Sequence, residues 1–182
     1  MRVPPRERET RDGRRYAVRS ARPGEAGAVL DLFLEVVGEA PYAVLQEPSE
    51  VDVTVERLRA LLQALEAADN GFYLVAESDG GLVGTLSCAG GRLARTRQAA
   101  EIGVHVRRPW RRRGVARALV EAAVEAARGG GVLTRLHLQV FAANEPALRL
   151  YGACGFAEEG RLRGHVRVDG EDVDVVAMAL GL

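Results

Sequence analysis

Five arginines lie within residues 107–113, directly before an alanine-rich run, in the stretch RRPWRRRGVARALVEAA. The first turn of a helix leaves backbone N–H groups without intrahelical partners, and the helix dipole adds about half a positive charge there. Guanidinium groups bind phosphate oxygens through paired hydrogen bonds. Gly114 and Ala116 remove side-chain bulk where a ligand would touch the backbone. The stretch therefore predicts a phosphate or diphosphate site at a helix N-terminus.

A solvated basic loop before a surface helix is the alternative interpretation of this stretch. Other phosphate motifs are excluded, because GxxxxGK[ST] needs a lysine, which the sequence lacks, and no predicted strand is followed by GxGxxG. Kinase-type and Rossmann-type sites are thereby excluded. His105, His137 and His165 lie on three different predicted strands without ligand spacing, so no metal site is predicted.

The elements that position the arginine stretch follow from the apolar periodicity around it. A strand AAEIGVHV precedes it, a helix runs from it to about Arg128, and the strand LTRLHLQV and the short helix NEPALRLYGACG come next. Upstream we predict a strand YAVRSA, two helices and a hairpin, and downstream a second hairpin that turns at Asp169-Gly170. The order predicts an α/β protein of the α+β type, with a central mixed, mostly antiparallel sheet of about seven strands flanked by about four helices.

Length and composition set the domain organisation. The 182 residues, with 47% hydrophobic residues and 25 basic against 25 acidic side chains, are typical of one soluble globular domain. Residues 1–15 contain six arginines and predict a disordered arm, so the single domain is placed at residues 16–182. The neutral balance does not favour nucleic-acid binding. No secretory signal or membrane span is predicted, and Cys88 and Cys154 form no CxxC pattern, which fits a reducing cytoplasm.

Two segments together resemble a known family. RRRGVA resembles the [QR]-x-x-G-x-[GA] acetyl-CoA signature of the GNAT superfamily of N-acetyltransferases. LHLQVFAANEPALRLYGACGF resembles the second segment of that family, which is a strand, an asparagine and a helix that carries Leu-Tyr and ends in Gly-Phe. Because both segments stand in the family's order and separation, the resemblance extends from about residue 99 to 156. It implies a GNAT-like fold, acetyl-CoA as co-substrate, no metal, and direct acetyl transfer to a primary amine in a ternary complex.

The resemblance also implies a donor site between two neighbouring strands. The strand ending at Val106 would diverge from the strand over 133–140, and pantetheine would pair with the backbone of Val104 and Val106. The diphosphate would rest on the N–H groups of residues 112–117. The residues expected to bind acetyl-CoA are Val104, His105, Val106, Arg111, Arg112, Arg113, Gly114, Val115, Ala116, Arg117, Asn144 and Tyr151.

Acetyl transfer requires a neutral amine, donors for the oxyanion and a proton for the departing thiolate. The resemblance assigns the proton donor to Tyr151, although Tyr151 also lies on an apolar helix face and would serve equally as a core aromatic. It assigns the oxyanion donor to the backbone N–H near Val106, freed by a bulge. Glu101 is the predicted base; the alternatives are His105, a water chain, or an exposed strand glutamate without a role. Asn144 is predicted to contact pantetheine, to cap the following helix, or both.

The acceptor is left open among small-molecule amines, protein N-termini and lysines. Its specificity is assigned to the first two helices, the segment PYAVLQEPSE between them and the last hairpin. Four carboxylates in these elements suit a cationic amine, namely Glu39, Glu47, Asp172 and Asp174. A homodimer also stays open. The competing functions are a non-catalytic acyl-CoA sensor, which an intact Tyr151 argues against, and a nucleic-acid module, which the neutral charge balance argues against.

Overall fold

The structure is a computed structural model that describes residues 1–39, 50 and 52–182. Within these residues it contains eight strands and four α-helices. The strands are β1 Arg6–Glu9, β2 Arg15–Ser20, β3 Gly71–Ser78, β4 Gly81–Gly90, β5 Ala99–Val106, β6 Arg135–Phe141, β7 Ala157–Val168 and β8 Glu171–Gly181. The α-helices are α1 Ala26–Glu39, α2 Val55–Ala67, α3 Val115–Gly130 and α4 Glu145–Ala153.

All eight described strands form one sheet, in the order β1-β2-β3-β4-β5-β6-β8-β7. Every neighbouring pair is antiparallel except β5 and β6, which are parallel and are connected through α3. A parallel pair needs a crossover connection, and the predicted strand-helix-strand order supplies it. The predicted mixed, mostly antiparallel sheet with four helices is confirmed, and the strand count exceeds the expected seven by one.

The helices cover both faces of the sheet and divide the core in two. On one face, α3 buries an alanine-rich and valine-rich stripe against β2 to β6 and β8, with Val115, Leu119 and Ala123 at most 1% exposed. On the other face, α1 and α2 pack against Val75 and Leu82 of the β3-β4 hairpin. The sheet therefore separates an α3 side from an α1-α2 side.

The turn and helix-stop residues predicted from the sequence occupy a hairpin turn and a helix end in the structure. Asp169 and Gly170 both have positive φ, 50° and 86°, as a two-residue hairpin turn between β7 and β8 requires. The glycines after Arg128 end α3, with Gly131 in the left-handed region at φ 70°. These elements were predictable because their conformations depend on neighbours in the chain.

The first fifteen residues differ from the expected disordered arm. β1 pairs with β2 from Arg6↔Val18 to Glu9↔Arg15, and Val3 is buried. The guanidinium of Arg6 forms a two-point ion pair with Glu125 of α3. Composition alone misjudged this segment because an edge strand tolerates charged residues on its solvent face.

Candidate active site

β5 is paired along its whole length on one side and along only part of it on the other. Its register with β4 runs from Gly90↔Ala100 to Gly84↔Val106, whereas its pairs with β6 are only Ala99↔Arg135, Ala100↔Leu136 and Glu101↔His137. Beyond Glu101 the two parallel strands diverge, while β6 continues to pair with β8 as far as Phe141. The predicted gap between these two strands is present.

The parity of the β5 backbone decides which of its groups face this gap. Gly91 N–H donates to Ala99 C=O and Arg107 N–H donates to Val83 C=O, so the odd-numbered residues bond towards β4. Gln98 C=O accepts from Arg135 N–H, so the even-numbered residues bond towards β6. Residues alternate in this way along a ladder, and Val104 and Val106 therefore direct their backbone groups into the gap.

A cleft of about 730 Å³ extends from this gap to the start of α3 and along α4. Ten of the twelve residues expected to bind acetyl-CoA line it. They are Val104, His105, Val106, Arg111, Arg112, Gly114, Ala116, Arg117, Asn144 and Tyr151. The two that do not line it are Arg113 and Val115. The Val115 side chain points into the core, because it is only 1% exposed and packs beside Gly84.

The N-terminus of α3 opens into the cleft without a side-chain cap. Gly114 is the N-cap residue in the left-handed region at φ 91°, and no side chain of the described residues caps the first-turn N–H groups. A Cβ at Gly114 would meet no described atom within 4 Å, so the space in front of it is open. The first turn itself carries no acidic residue. The helix therefore presents bare N–H donors and its positive dipole end to the cleft.

The three consecutive arginines before Gly114 have different surroundings. Arg111 donates to Val106 C=O at 2.8 Å and to Glu39 of α1 at 2.8 Å. Arg113 donates to Pro109 C=O at 2.9 Å and to Asp12, so its guanidinium points away from the cleft. Arg112 has a φ of 59°, and within the described residues its guanidinium has no hydrogen-bond or ion-pair partner. The charge available to a ligand is thus smaller than the sequence predicts, since two arginines hold the loop.

The expected bulge near Val106 is absent from the β4-β5 pair, and that prediction is wrong. The register between the two strands is unbroken from residue 100 to 106. The N–H of Val106 is turned away from β4 by strand parity, and it faces a gap because β6 has departed. The same free donor therefore arises from strand divergence, which needs no extra residue in β5.

Tyr151 lies in the cleft wall and is 8% exposed. Its ring packs against Phe156, with centroids 5.7 Å apart. Burial, with a smaller contribution from Cys154, raises the pKa of Tyr151 to about 12. A phenol with this pKa keeps its proton at neutral pH and is able to donate it. The residue is thus both a core aromatic and a cleft residue, as the two interpretations of the sequence separately proposed.

His105 and Glu101, the two candidate bases, occupy different environments on one face of β5. His105 lines the cleft and contacts Phe33 of α1 edge-on, with centroids 5.2 Å apart. Burial lowers the pKa of His105 to about 4, so the imidazole is neutral at pH 7. Glu101 is exposed and is not a lining residue. It is four residues, roughly 13 Å of strand, from His105.

Asn144 combines the two roles that were left open for it. Its side chain accepts from Ala147 N–H at 3.2 Å as the N-cap of α4, and it also lines the cleft. Trp110 and Arg149 line the cleft as well, and neither was predicted from the sequence. The position of Trp110 beside the arginines was the available signal, and Arg149 stands two residues before Tyr151.

The three described carboxylates among those proposed for a cationic acceptor have separate partners. Glu39 pairs with Arg111, Asp172 pairs with Arg167, and Asp174 accepts from Gly164 N–H at 2.9 Å. Glu47 and most of the segment PYAVLQEPSE lie outside the described residues.

Within the described part of the chain, no group of three metal-ligating side chains is present. None of the helices in residues 1–39 and 52–182 has the length and apolar character of a membrane span.

Comparison with known proteins gives concordant matches. A sequence model of the acetyltransferase (GNAT) family matches residues 39–156. An L-amino acid N-acetyltransferase of Escherichia coli K12 is 36% identical over 106 residues, which are 58% of this chain and 65% of that relative. An N-alpha-acetyltransferase of Sulfurisphaera tokodaii is 27% identical over 181 residues, 94% of this chain and 98% of the relative.

Solved structures share the fold over most of the chain. A GNAT-family acetyltransferase from Streptococcus pneumoniae superposes with a TM-score of 0.87 at 24% identity, covering 92% of this chain and 99% of that one. An acetyltransferase from Salmonella typhimurium, solved with acetyl-CoA, gives a TM-score of 0.82 at 21% identity, covering 92% and 94%. At these identities the two structures establish the fold.

Proposed function

This chain belongs to the acetyltransferase (GNAT) family, and from that premise we propose that it transfers the acetyl group of acetyl-CoA to a primary amine by direct attack in a ternary complex. The observation that carries the proposal is the divergence of β5 from β6 beside the uncapped N-terminus of α3. An open strand edge suits an extended amide-bearing arm, and a bare helix N-terminus suits a diphosphate. CoA carries both groups in one molecule.

Main-chain groups would bind both the diphosphate and the pantetheine arm of the donor, and a few side chains would assist at each. The N–H groups of residues 112–117 would receive the diphosphate, with Arg112 as the flanking cation. Val104 and Val106 would pair with the pantetheine amides, and Asn144 would contact the same arm from α4. We retain Arg117 as a phosphate ligand, since its bond to Glu121 within α3 is exposed and easily exchanged.

Acetyl transfer requires stabilisation of the oxyanion, protonation of the thiolate and removal of the amine proton. The Val106 N–H would stabilise the oxyanion that forms on the acetyl carbonyl, because it points into the gap without a β6 partner. Tyr151 would protonate the thiolate, since its raised pKa keeps the phenol protonated. Removal of the amine proton is assigned to Glu101 through water, because the carboxylate is too far along β5 for direct contact with the cleft. His105 is the alternative base.

A paired substitution tests the assignment of the base. Glu101→Gln is expected to lower kcat about tenfold or more, because it removes the proton acceptor with little change in shape. His105→Gln is the comparison, and it should alter kcat less. Initial rates at saturating acetyl-CoA measure both effects. A larger loss in His105→Gln than in Glu101→Gln would transfer the role to the histidine.

The acceptor belongs to the amines, and we propose either a small-molecule amine or a protein N-terminus or lysine. The names of the relatives suggest two kinds of acceptor, since one is named for L-amino acids and the other for N-alpha-acetylation.

We further propose that residues 16–182 form one N-acetyltransferase domain, to which β1 adds an edge strand. A cytoplasmic location fits the two free cysteines. We expect no nucleic-acid partner, and a homodimer is left to experiment.

The proposal is tested by incubating the protein with acetyl-CoA and separate amine classes while following thiol release. Amino acids, peptides with free N-termini, polyamines and aminoglycosides are the four classes. The expected result is release of CoA in equal amount with an acetylated amine, identified by mass spectrometry. A protein that binds CoA in a calorimetric titration and acetylates no amine would instead be a sensor. Absence of both binding and release would overturn the proposal.

A further inference from the structure

The turn between β1 and β2 is built around one buried threonine. Thr10 is 4% exposed, its N–H donates to Arg14 C=O, and its hydroxyl accepts from Arg14 N–H. The same hydroxyl donates to Asp12 Oδ1 at 2.6 Å. Gly13, at φ 83°, completes the turn with a bond to Thr10 C=O. The Asp12 carboxylate is therefore fixed by its own turn before it meets any other part of the molecule.

Asp12 then reaches the arginine loop. Its second oxygen accepts from Arg113, whose Nε also donates to Pro109 C=O at 2.9 Å. Arg113 thus ties the short 3-10 turn over Arg108–Trp110 to a hairpin that is distant in the chain. The Thr10 hydroxyl, and to a smaller extent Arg113, lower the pKa of Asp12, which keeps the carboxylate ionised at neutral pH. The hairpin therefore presents a fixed negative charge to the loop.

A second contact joins the same hairpin to the same loop. Trp110, a cleft-lining residue, packs edge-on against the buried ring of Tyr16, with centroids 6.3 Å apart. The Arg14 guanidinium lies over the indole at 5.5 Å. Cation-π and aromatic pairs of this geometry are individually modest. Together with the Arg113 contact they hold the 3-10 turn against residues 12–16.

The loop needs such support because Arg112 stands in a conformation that L residues seldom adopt. A φ of 59° is unfavourable for arginine and persists only where the neighbouring structure imposes it. Arg111 is held on one side by Val106 C=O and Glu39, and Arg113 is held on the other by Pro109 C=O and Asp12. The two anchored arginines leave Arg112 exposed at the cleft.

We propose that Asp12 is a positioning residue for the donor diphosphate, because through Arg113 it fixes the loop that presents Arg112 and the first N–H groups of α3. The inference rests on the proposed function, since it names a device that serves the same donor site. Asp12 touches no ligand itself. Because the loop is already ordered before the ligand binds, binding loses less conformational entropy, and this preorganisation raises the affinity.

Asp12→Asn tests the inference, because the amide oxygen still accepts from Thr10, whereas the charge presented to Arg113, and to Arg14 at 3.3 Å, is lost. We expect the Kd for CoA and the KM for acetyl-CoA to rise about three- to fivefold, which is the upper range for an exposed ion pair. The kcat and the KM for the amine should stay unchanged. With S-acetylpantetheine, which lacks the diphosphate, kcat/KM should equal that of the wild type, an outcome that general loosening of the fold would not produce.

Glu7→Gln is the matched control, because Glu7 is an exposed carboxylate of β1 paired with Ala17 and away from the loop. It should bind CoA as the wild type does. Arg113→Gln is the second variant, and in its background Asp12→Asn should weaken CoA binding by less than it does in the wild type, because only the contact of Asp12 with Arg14 then remains. Equal CoA binding by wild type and Asp12→Asn, or equal loss in Glu7→Gln, would overturn the inference alone. Failure of the wild type to bind CoA would instead overturn the proposed function.

Discussion

The two halves of β5 differ although they belong to one strand of eight residues. Residues 99–101 have partners on both edges, whereas residues 102–106 are paired with β4 alone. The paired half is ordinary sheet interior, and Ala100 is fully buried there. The open half borders the cleft with His105, Val106 and the backbone of Val104. Strand pairing holds the sheet together, and the place where pairing stops leaves an open backbone edge beside the cleft.

The difference arises because β5 and β6 are held by different neighbours. After Val106 the chain enters the 3-10 turn over Arg108–Trp110 and then α3, which packs across β4 and β5. β6 meanwhile stays with β8, with which it pairs over all seven of its residues. β5 is thus held by β4 and β6 by β8, and these partners draw the two parallel strands apart. The backbone groups in the two halves of β5 should therefore have different roles.

Proline at two even-numbered positions of β5 should separate those roles, because it removes one N–H that faces β6. Ala100→Pro lies in the paired half and should lower the free energy of unfolding by about 3 kcal/mol or more. Val104→Pro lies in the open half, where no ladder bond is lost, and should cost about 1 kcal/mol while weakening acetyl-CoA binding. Denaturant unfolding and CoA titration measure the two effects. Equal destabilisation by both would contradict the comparison.

Removing the Tyr151 hydroxyl should affect only the reaction at the open half. Tyr151→Phe keeps the packing against Phe156, so we expect kcat to fall about 100-fold with little change in the KM for acetyl-CoA or in Tm. The pKa of Tyr151, about 12, predicts that the wild-type kcat does not decline through loss of this proton below about pH 10. Tyr73→Phe, on β3 and outside the cleft lining, is the control. An unchanged kcat would remove Tyr151 from the acid role.

The open half should also make the fold sensitive to acid. Burial lowers the pKa of His105 to about 4 in the folded state, against about 6.5 unfolded. Above pH 6.5 both states are neutral and stability is complete; as the pH falls from 6.5 towards 4, only the unfolded chain takes up the proton. Stability should therefore drop by about 2 kcal/mol over this window, less than the full shift because the ring is partly exposed. Urea unfolding at pH 7.5 and 4.5 measures it.

His105→Gln should flatten this pH dependence, while His165→Gln, at an exposed position of β7, should leave it unchanged. A wild-type drop that persists in His105→Gln would assign the acid sensitivity to other groups.

The smallest expected effect compares the two ends of α3. Gly114 at φ 91° and Gly131 at φ 70° are both left-handed, and a Cβ would meet no described atom within 4 Å at either position. Alanine at each should cost a similar 1–2 kcal/mol of stability, about the penalty for a left-handed L residue. Only Gly114→Ala should raise the KM for acetyl-CoA, about tenfold, because it disturbs the N–H groups beside the cleft. An equal rise in Gly131→Ala would indicate a general effect of destabilisation.

Local signals in the sequence predicted much of the fold and part of the candidate site. The strand over 99–106, the helix start after Gly114 and the Asn144 cap were all predictable, because each depends on residues close in the chain. The ion-pair partners of the charged side chains were not predictable. Arg111 and Arg113 looked equivalent to Arg112, and only their distant partners Glu39 and Asp12 distinguish them. The same limitation affected β1, whose pairing with β2 composition does not encode.

The sequence by itself determined the elements from β2 onwards, their order and the family, since turn residues, apolar periodicity and two short motifs act over a few positions. The tertiary structure alone decided where β5 and β6 separate, which of three adjacent arginines remains open to a ligand, and that Glu101 stands apart from the cleft. These outcomes depend on contacts between residues far apart in the chain, and the energy of such contacts is set by packing that no local pattern records.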